Sequence, residues 1–527
     1  MTVRGRVFVL AACIVSAAAA FEVDRSVMAE AYWSVWNDEA QAKIDADIER
    51  FRKADASVEV AAPDGTEVRI EQTRHAFFFG AHIFNFNQLG SKERNERYKD
   101  LYDSERGLFN SATVAFYWRT LERLPRAPRF EERFEDTETY WNACREPWKE
   151  PHWRRPAVDP VINFLKAKGC RIHGHPLVWG NNDWMTPTWL WDDFCPESEK
   201  AALEAASGVE VPRWNGKSTL GVITPGADAA WRKSWDEIYR RLSVEEIARL
   251  VPTYLDAVET FYEARVRDIA ERYGSRVDSW DVVNESATDY DRFGRKAVRG
   301  KAFDESWYGP MPADYAYKAF AWAAKYLPKT TWLNLNDYNM GDGFFLQAKD
   351  LADHGARIDV VGSQMHLFNP KESANIAEGR MPEHLTPDGV EKRFARVSKA
   401  GRPIHLSEIT ITAPDNSEKG QMIQAVIARN MYRAWFAVEK MNGITWWNVV
   451  DNCGAPGEPS ISGLFTRDMK AKTVYYALDD LINREWKTKT AVKAEGGRVS
   501  FRGFRGRYRL SWKGEGGKEA SKIAEVR

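Results

Sequence analysis

The feature that most constrains the fold is a series of eight apolar, strand-like runs separated by connections long enough to hold helices. Strands joined in this way pair in parallel through crossovers, and eight such units close into a (β/α)8 barrel. The sequence therefore predicts an α/β fold of the TIM barrel type. The predicted strands are residues 76–83, 111–117, 171–179, 279–286, 331–338, 359–367, 403–412 and 444–451.

Two alternating segments flank the predicted barrel. Residues 56–72 alternate on both sides of Pro63-Asp64-Gly65, which is typical of a β-hairpin, and residues 491–513 alternate around a pair of glycines. Neither segment has enough strands to be stable alone, so we expect the two termini to form one accessory β unit. The predicted divisions are a signal peptide at 1–20, a helix and hairpin at 21–75, the barrel at 76–488 and C-terminal strands at 489–527.

The connection at about 180–242 is much longer than a usual strand-to-helix loop, and its scattered prolines predict irregular structure. Loops that follow barrel strands lie on the active-site face, so this insertion is expected to shape or cover a cleft. After it, Ser243 and Glu246 have capping-box spacing, and Pro252 is placed in the first turn of the next helix. Gly274 is predicted to end that helix in the left-handed conformation.

The N-terminus and the overall charge predict an exported protein. Basic residues at positions 4 and 6 precede an apolar run and an alanine-rich stretch that ends at Ala20, which is typical of a secretory signal peptide. Lipid anchoring through Cys13 is the alternative. The 75 basic and 76 acidic residues leave no electrostatic footprint for nucleic acid, and no other run is long enough to span a membrane.

Cysteine usage does not fix a redox state. Cys144, Cys170, Cys195 and Cys453 would remain after removal of the signal peptide. Export permits disulfides among them, but their pairing cannot be deduced, and buried free thiols are an equal alternative.

Two glutamates stand out because each follows an apolar run near the end of a predicted strand. Glu285 ends Ser279-Trp-Asp-Val-Val-Asn-Glu285, and Glu408 follows Pro403-Ile-His-Leu-Ser. Catalytic groups of barrels project from the carboxyl ends of different strands toward one centre. Glycoside hydrolysis needs one carboxylic acid that protonates the leaving oxygen and one carboxylate that attacks or activates water. The pair therefore predicts cleavage of a glycosidic bond.

Further polar and aromatic side chains end other predicted strands. Groups of this kind can bind sugar hydroxyls and stack on the flat faces of sugar rings. They lie in His173-Gly-His175-Pro-Leu-Val-Trp179, Leu335-Asn336-Asp-Tyr-Asn, Gly362-Ser-Gln364-Met-His366 and Ile444-Thr-Trp-Trp447-Asn.

With these motifs the chain resembles glycoside hydrolase family 10, the family of secreted endo-1,4-β-xylanases, from about Ala76 to Glu485. The resemblance implies a retaining double displacement without a metal or organic cofactor, acting on a β-linked, most readily xylan-type, polysaccharide or oligosaccharide. It implies that Glu285 is the acid/base and Glu408 the nucleophile. The substrate-binding residues that it implies are His175, Trp179, Asn284, Asn336, Gln364, His366 and Trp447.

The chain departs from the family pattern in its second strand. The family's Glu-Asn pair and following Lys become Thr113, Val114 and Tyr117 when its next Trp is aligned on Trp118. In addition, Gly180 replaces a family His, and the loop after residue 451 supplies no second Trp. We therefore expect conserved catalytic machinery with altered recognition, and another β-linked plant or algal saccharide stays open as the substrate.

Two other functions remain as alternatives. The pair His173-x-His175 could provide metal ligands of a barrel hydrolase, although no second close histidine pair is present. A sugar-binding barrel that has lost catalysis is the other alternative, and the presence of both Glu285 and Glu408 argues against it.

Overall fold

The structure is a computed structural model. It describes residues 20–122, 125–132, 156–180, 185–211, 213, 225–287, 311, 315–338, 340–454 and 458–527. The predicted signal peptide, except its last residue, and Cys144 lie outside these ranges. In the described part of the chain, no helix combines the length and apolar character needed to cross a bilayer.

Eight parallel strand positions close into a barrel, which confirms the predicted fold class. Sequential neighbours pair around the ring, the last strand pairs with the first, and the third position is filled by two short consecutive strands. In chain order the strands are β1 Lys53–Glu59, β2 Glu67–His75, β3 Phe78–His82, β4 Ser111–Ala115, β5 Arg171–His175, β6 Val178–Trp179, β7 Ser279–Asn284, β8 Trp332–Asp337, β9 Val360–Leu367, β10 Ile404–Ile411, β11 Met441–Trp446, β12 Lys489–Lys493, β13 Arg498–Phe504, β14 Gly506–Lys513 and β15 Glu519–Val526. The barrel comprises β3 to β11.

Helices surround the barrel. They are α1 Glu30–Val35, α2 Asp38–Arg52, α3 Lys92–Lys99, α4 Trp118–Leu121, α5 Val158–Ala167, α6 Thr188–Phe194, α7 Glu197–Ser207, α8 Pro225–Arg241, α9 Val244–Leu250, α10 Pro252–Tyr273, α11 Tyr315–Tyr326, α12 Asp342–Asp353, α13 Pro370–Ala377, α14 Pro387–Ser398, α15 Glu418–Ala437 and α16 Thr473–Asp479. Short 3-10 turns lie at Arg25–Val27, Glu383–Leu385 and Glu515–Gly517, and a π-helical turn lies at Asp480–Glu485.

The helix signals in the sequence are confirmed with one exception. Ser243 and Glu246 form the reciprocal capping box of α9, and Pro252 is the first residue of α10. Gly274 does not adopt the left-handed conformation, because its φ is −54°. A Cβ at this position would lie 2.5 Å from the carbonyl oxygen of Ala270 and 3.0 Å from Pro328, so close packing explains the glycine.

The long insertion is not irregular where the structure describes it, because it contains α6, α7 and α8. Its prolines begin helices instead of breaking them. Pro187 and Pro196 are the N-cap residues of α6 and α7, and α8 starts at Pro225. The missing N–H and fixed φ of proline suit the first turn of a helix. The insertion packs on α10 through Trp191, whose ring centroid lies 4.8 Å from that of Tyr254.

The termini pair into the predicted accessory β unit, but the predicted hairpin is wrong. β1 pairs with β13, whereas β2 lies between β12 and β14, with β15 at the edge. A turn does form at Pro63-Asp64-Gly65, yet the chain leaves it into a second sheet. A two-stranded hairpin is marginally stable by itself, whereas the two sheets of the accessory unit enclose one apolar core. The shared core includes Val68, Ile70, Tyr508, Leu510 and Trp512.

The described cysteines are free. Cys170, Cys195 and Cys453 are each buried and unbridged, as one of the two sequence alternatives proposed. Burial raises the pKa of all three thiols to about 12, so they remain protonated at neutral pH.

Candidate active site

A cavity of about 570 Å3 opens at the carboxyl ends of the barrel strands. Eight of the nine residues proposed from the sequence line it, and Asn336 is fully buried beneath them. The lining residues of that set are His175, Trp179, Asn284, Glu285, Gln364, His366, Glu408 and Trp447.

Each of the two glutamates follows a break in strand register. In β7 the register with β8 shifts between Asp281 and Val283, just before the strand delivers Glu285. In β10 the register with β9 shifts between Leu406 and Glu408. A β-bulge interrupts the two-residue alternation of side chains and re-aims those that follow it. The two bulges therefore help to direct both carboxyl groups into the same cavity.

Glu285 leaves its strand in the left-handed region, with a φ of 52°. A non-glycine residue in this region costs roughly 1–3 kcal/mol and persists where its surroundings hold it. Its N–H donates to the carbonyl oxygen of Asn336 at 2.8 Å. Burial, followed by the negative charge of Glu408, raises the pKa of Glu285 to about 7. Glu285 can therefore retain its proton near neutral pH.

Gln364 links the two carboxyl groups through one amide nitrogen. Its Nε2 donates to Oε1 of Glu285 at 3.0 Å and to Oε1 of Glu408 at 3.1 Å. Because both oxygens lie within 3.1 Å of the same nitrogen, they are separated by at most about 6 Å. Inverting glycosidases hold their carboxyl groups roughly 6.5–9.5 Å apart and retaining enzymes about 5–5.5 Å apart. The geometry fits the retaining class.

Glu408 is buried and surrounded by hydrogen-bond donors. Asn336 Nδ2 donates to its Oε1 at 3.1 Å, and His366 Nε2 lies 3.5 Å from its Oε2. The ring of His366 is oriented by Thr410, whose hydroxyl lies 2.9 Å from Nδ1. His175 Nε2 lies 3.8 Å from the same carboxylate. These contacts fix the orientation of the Glu408 carboxyl group within the cavity.

His173 and His175 share one buried acid. Asp281 Oδ2 lies 2.9 Å from His173 Nε2 and 2.8 Å from His175 Nδ1, and Ser279 contacts the other nitrogen of His173. Burial by itself raises the pKa of Asp281, but the two imidazoles outweigh it and hold that pKa well below its usual range. Both ring nitrogens of His173 are thus engaged by protein groups, which argues against the two-histidine metal site.

A glycine lets this network form beside a large ring. A Cβ at Gly174 would lie 2.2 Å from the indole of Trp280, so the absence of a side chain admits that ring between neighbouring strands.

Burial lowers the pKa of His175, but the hydrogen bond to Asp281 and the charge of Glu408 outweigh burial, and the net effect raises it. The raised pKa favours the cationic form of His175, which stabilises the nearby negative charge.

Aromatic rings form the walls of the cavity. Tyr117 and Trp179 contact each other at a centroid distance of 6.2 Å, and Trp447 packs edge-on near His175. The indole nitrogen of Trp447 donates to Glu458 Oε1 at 3.2 Å, and this hydrogen bond helps to fix the ring. The exposed rings of Tyr338 and Phe368 line the cavity as well.

Of the three second-strand residues that differ from the family pattern, only one lines the cavity. Tyr117 lines it, whereas Thr113 and Val114 are buried and do not. The described side chains of the insertion at 185–211 and 233–242 do not line this cavity, and the expectation that the insertion shapes or covers the cleft stays a prediction.

Sequence reasoning missed four charged or titratable residues near the site. Asp281 had a detectable signal, because it is an acid within an otherwise apolar strand. Glu458, His384 and Arg393 line the cavity from loops and a helix, and no periodicity marks them.

Residues 249–481 match the model of glycosyl hydrolase family 10. This match spans β7 to β11 and both glutamates, and it excludes the strands where the sequence departs from the family pattern. Residues 249–481 belong to glycosyl hydrolase family 10. The resemblance inferred from the motifs is therefore confirmed.

The curated relatives that match this chain include xylanases and an exoglucanase. The chain is 36% identical over 224 residues to an endo-1,4-β-xylanase A of Halalkalibacterium halodurans, covering 42% of this chain and 43% of the relative. It is 23% identical over 333 residues to an endo-1,4-β-xylanase A of Thermoanaerobacterium saccharolyticum, covering 61% of this chain and 22% of the relative. An exoglucanase of Acetivibrio thermocellus is 22% identical over 331 residues, covering 61% of this chain and 24% of the relative. The chain thus spans less than half of each of these relatives.

Among solved structures, an intracellular xylanase from Thermoanaerobacterium saccharolyticum is similar. It is 16% identical, with a TM-score of 0.47, and the alignment covers 77% of this chain and 98% of the other.

Proposed function

We propose that this chain is a secreted retaining glycoside hydrolase that cleaves β-linked polysaccharide or oligosaccharide, most readily xylan-type, by double displacement. The observation that carries the proposal is the pair of carboxyl groups joined by Gln364, with Glu285 protonated near neutral pH. The family 10 match, which includes both residues, supports the same reaction.

In the first step, Glu408 attacks the anomeric carbon while Glu285 donates its proton to the glycosidic oxygen. A bond forms between Glu408 and the sugar, and the bond to the leaving oxygen breaks. Asn336 and His366 orient Glu408 for this attack. Once Glu408 is esterified its negative charge is lost, so one of the two causes that raise the pKa of Glu285 disappears.

In the second step, the ionised Glu285 removes a proton from water, which attacks the same carbon and releases Glu408. Two successive inversions restore the original configuration. Asn284 accepts from Asn336 Nδ2 at 2.8 Å, so its orientation is fixed. It is positioned to bind the 2-hydroxyl of the sugar, an interaction that strengthens in the transition state.

Product analysis tests the proposed function. The protein is incubated with a panel of β-linked xylans, glucans and mannans, and the first products are followed by proton NMR before mutarotation. We expect hydrolysis of at least one substrate with β-anomers formed first. First-formed α-anomers would contradict double displacement, and tight binding without turnover would indicate a sugar-binding barrel.

Export is part of the proposal and is tested separately. The signal-like residues 1–20 support it. N-terminal sequencing of protein recovered outside the cytoplasm of an expressing cell is expected to begin near Phe21. Retention of residues 1–20 in a cytoplasmic product would contradict export, and a lipid-modified Cys13 would support the anchored alternative.

The pKa of Glu285 predicts a pH dependence. Because the acid form donates the proton in the first step, kcat/KM is expected to fall about tenfold for each unit of pH above about 7. The measurement is kcat/KM from pH 5 to 9 with an unactivated oligosaccharide. The fall in kcat/KM above about pH 7 should be much smaller for an aryl glycoside with a good leaving group, because that group needs no protonation. A pH-independent rate from 6 to 9 with the unactivated substrate would contradict this role of Glu285.

A further inference from the structure

Arg393, on α14, lines the active-site cavity without an acidic partner. No carboxylate among the described residues forms an ion pair with it, and its Nε is buried without an acceptor. Toward the residues that the structure describes, it donates one hydrogen bond, from Nη2 to the carbonyl oxygen of Gln364, and this bond is long, at 3.4 Å. A guanidinium carries five donors that normally find acceptors when they are withdrawn from water. Most of the binding capacity of Arg393 is therefore unused.

Another buried arginine shows how this fold satisfies such a group. Arg265 also forms no ion pair with a carboxylate in the described part of the chain, but its guanidinium donates to the carbonyl oxygens of Phe116, Pro176 and Leu177. Arg265 does not line the active-site cavity. Arg393 differs because it borders open space and has fewer acceptors, so an anion that enters the cavity can bind it.

The position of Arg393 separates it from the aromatic wall formed by Tyr117 and Trp179. Gln364 lies on β9, the sixth barrel strand, and Tyr117 follows β4, the second. Strands four positions apart in a closed eight-stranded barrel lie opposite each other. Arg393 thus lies across the mouth from that wall, and it lines the same cavity as the exposed ring of Phe368 and His384.

We propose that Arg393 binds an oxyanion carried by the saccharide, a uronic acid carboxylate or a sulfate ester, on the β9 side of the cleft. The inference rests on the proposed function and narrows its substrate to acidic β-linked saccharides. His384 also lines the cavity, where burial lowers its pKa and Arg393 is close enough for its charge to lower that pKa further, and it can donate a further hydrogen bond. The planar fork of arginine matches an oxyanion with two oxygens.

The other charges of the cavity restrict where such an anion can lie. Glu285, Glu408 and Glu458 are all acidic groups of the same cavity. Glu458 follows β11, the eighth strand, and holds Trp447. An anionic substituent on that side would be repelled, whereas one directed toward Arg393 gains attraction. The charge arrangement therefore orients an acidic saccharide in one direction.

Paired substrates and variants test this inference. The probes are a short neutral xylo-oligosaccharide, the same chain with one uronic acid branch, and the same chain with one sulfate ester. The variants are Arg393→Gln and, as a control with the same loss of charge on the same helix, Arg396→Gln, which is exposed and outside the cavity wall. The readouts are kcat/KM and, in a Glu408→Gln background, binding by calorimetry.

We expect Arg393→Gln to weaken binding and turnover of at least one acidic probe about 10- to 100-fold, as loss of a charged hydrogen bond does, with less than about twofold change on the neutral probe. Which acidic probe responds distinguishes carboxylate from sulfate. Arg396→Gln should change neither. Arg393→Lys, which keeps the charge without the fork, should retain part of the preference and replaces the glutamine variant if that variant does not fold.

Equal losses on neutral and acidic probes would overturn the inference, because they would show that Arg393 acts by supporting Gln364. Absence of any preference for acidic probes in the protein with Arg393 would overturn it as well. If no probe is hydrolysed but the acidic probe still binds through Arg393, the proposed hydrolysis fails and the anion site stands.

Discussion

Replacing Glu408 by glutamine is expected to lower kcat by about 10⁴-fold or more on every substrate that the protein hydrolyses. The amide keeps the size of the carboxyl group and can accept from Asn336 and Gln364, so folding should be preserved. It cannot form the glycosyl-enzyme bond. The measurement is steady-state turnover, with thermal unfolding as the check that the variant is folded.

A control and a rescue make this result specific. Glu383→Gln removes a carboxylate from an exposed ion pair with Lys392 and should leave kcat unchanged. In a Glu408→Ala variant, azide can enter the vacated space and attack an activated aryl β-glycoside from the same face. A single displacement should then give the α-glycosyl azide. Near-native turnover of Glu408→Gln, or a β-azide from Glu408→Ala, would refute the nucleophile assignment.

Replacing Glu285 by glutamine is expected to lower kcat/KM about 10²- to 10⁴-fold on unactivated oligosaccharides, because the leaving oxygen must depart without a proton. An aryl glycoside whose phenolate leaves unaided should still form the glycosyl-enzyme, so its first step should change little. Burst kinetics measure that difference. The fall in kcat/KM above pH 7 should disappear in the variant, since Glu285 is the group that titrates there.

Azide again distinguishes the role of this residue. In Glu285→Ala the glycosyl-enzyme forms on Glu408, and azide attacks it from the side that Glu285 occupied. The product should be the β-glycosyl azide, the opposite anomer to that expected for Glu408→Ala. Equal sensitivity of activated and unactivated substrates to Glu285→Gln would contradict an acid/base role.

The barrel strands and the glutamate pair could be predicted because their signals are local. Apolar runs mark buried parallel strands, and the predicted strand bounds differ from the observed ones by few residues, except that β11 is Met441–Trp446 rather than 444–451. The predictions of an irregular insertion and of a hairpin were wrong because each rested on a local signal. Prolines can begin a helix as well as break one. Alternation marks a strand but does not choose its partner, and the partners of β1 and β2 lie more than four hundred residues away.

The sequence by itself determined the barrel class, the identity of the two glutamates and the motifs that place the family 10 domain. Only the tertiary structure decided how those residues meet. The bulges before Glu285 and Glu408 break the alternation on which strand patterns depend. The single amide of Gln364 between two carboxyl groups, and the position of Arg393 near it without an ion-pair partner in the described chain, depend on side chains from separate strands and a helix. Such contacts arise from packing in three dimensions, which leaves no period in the sequence.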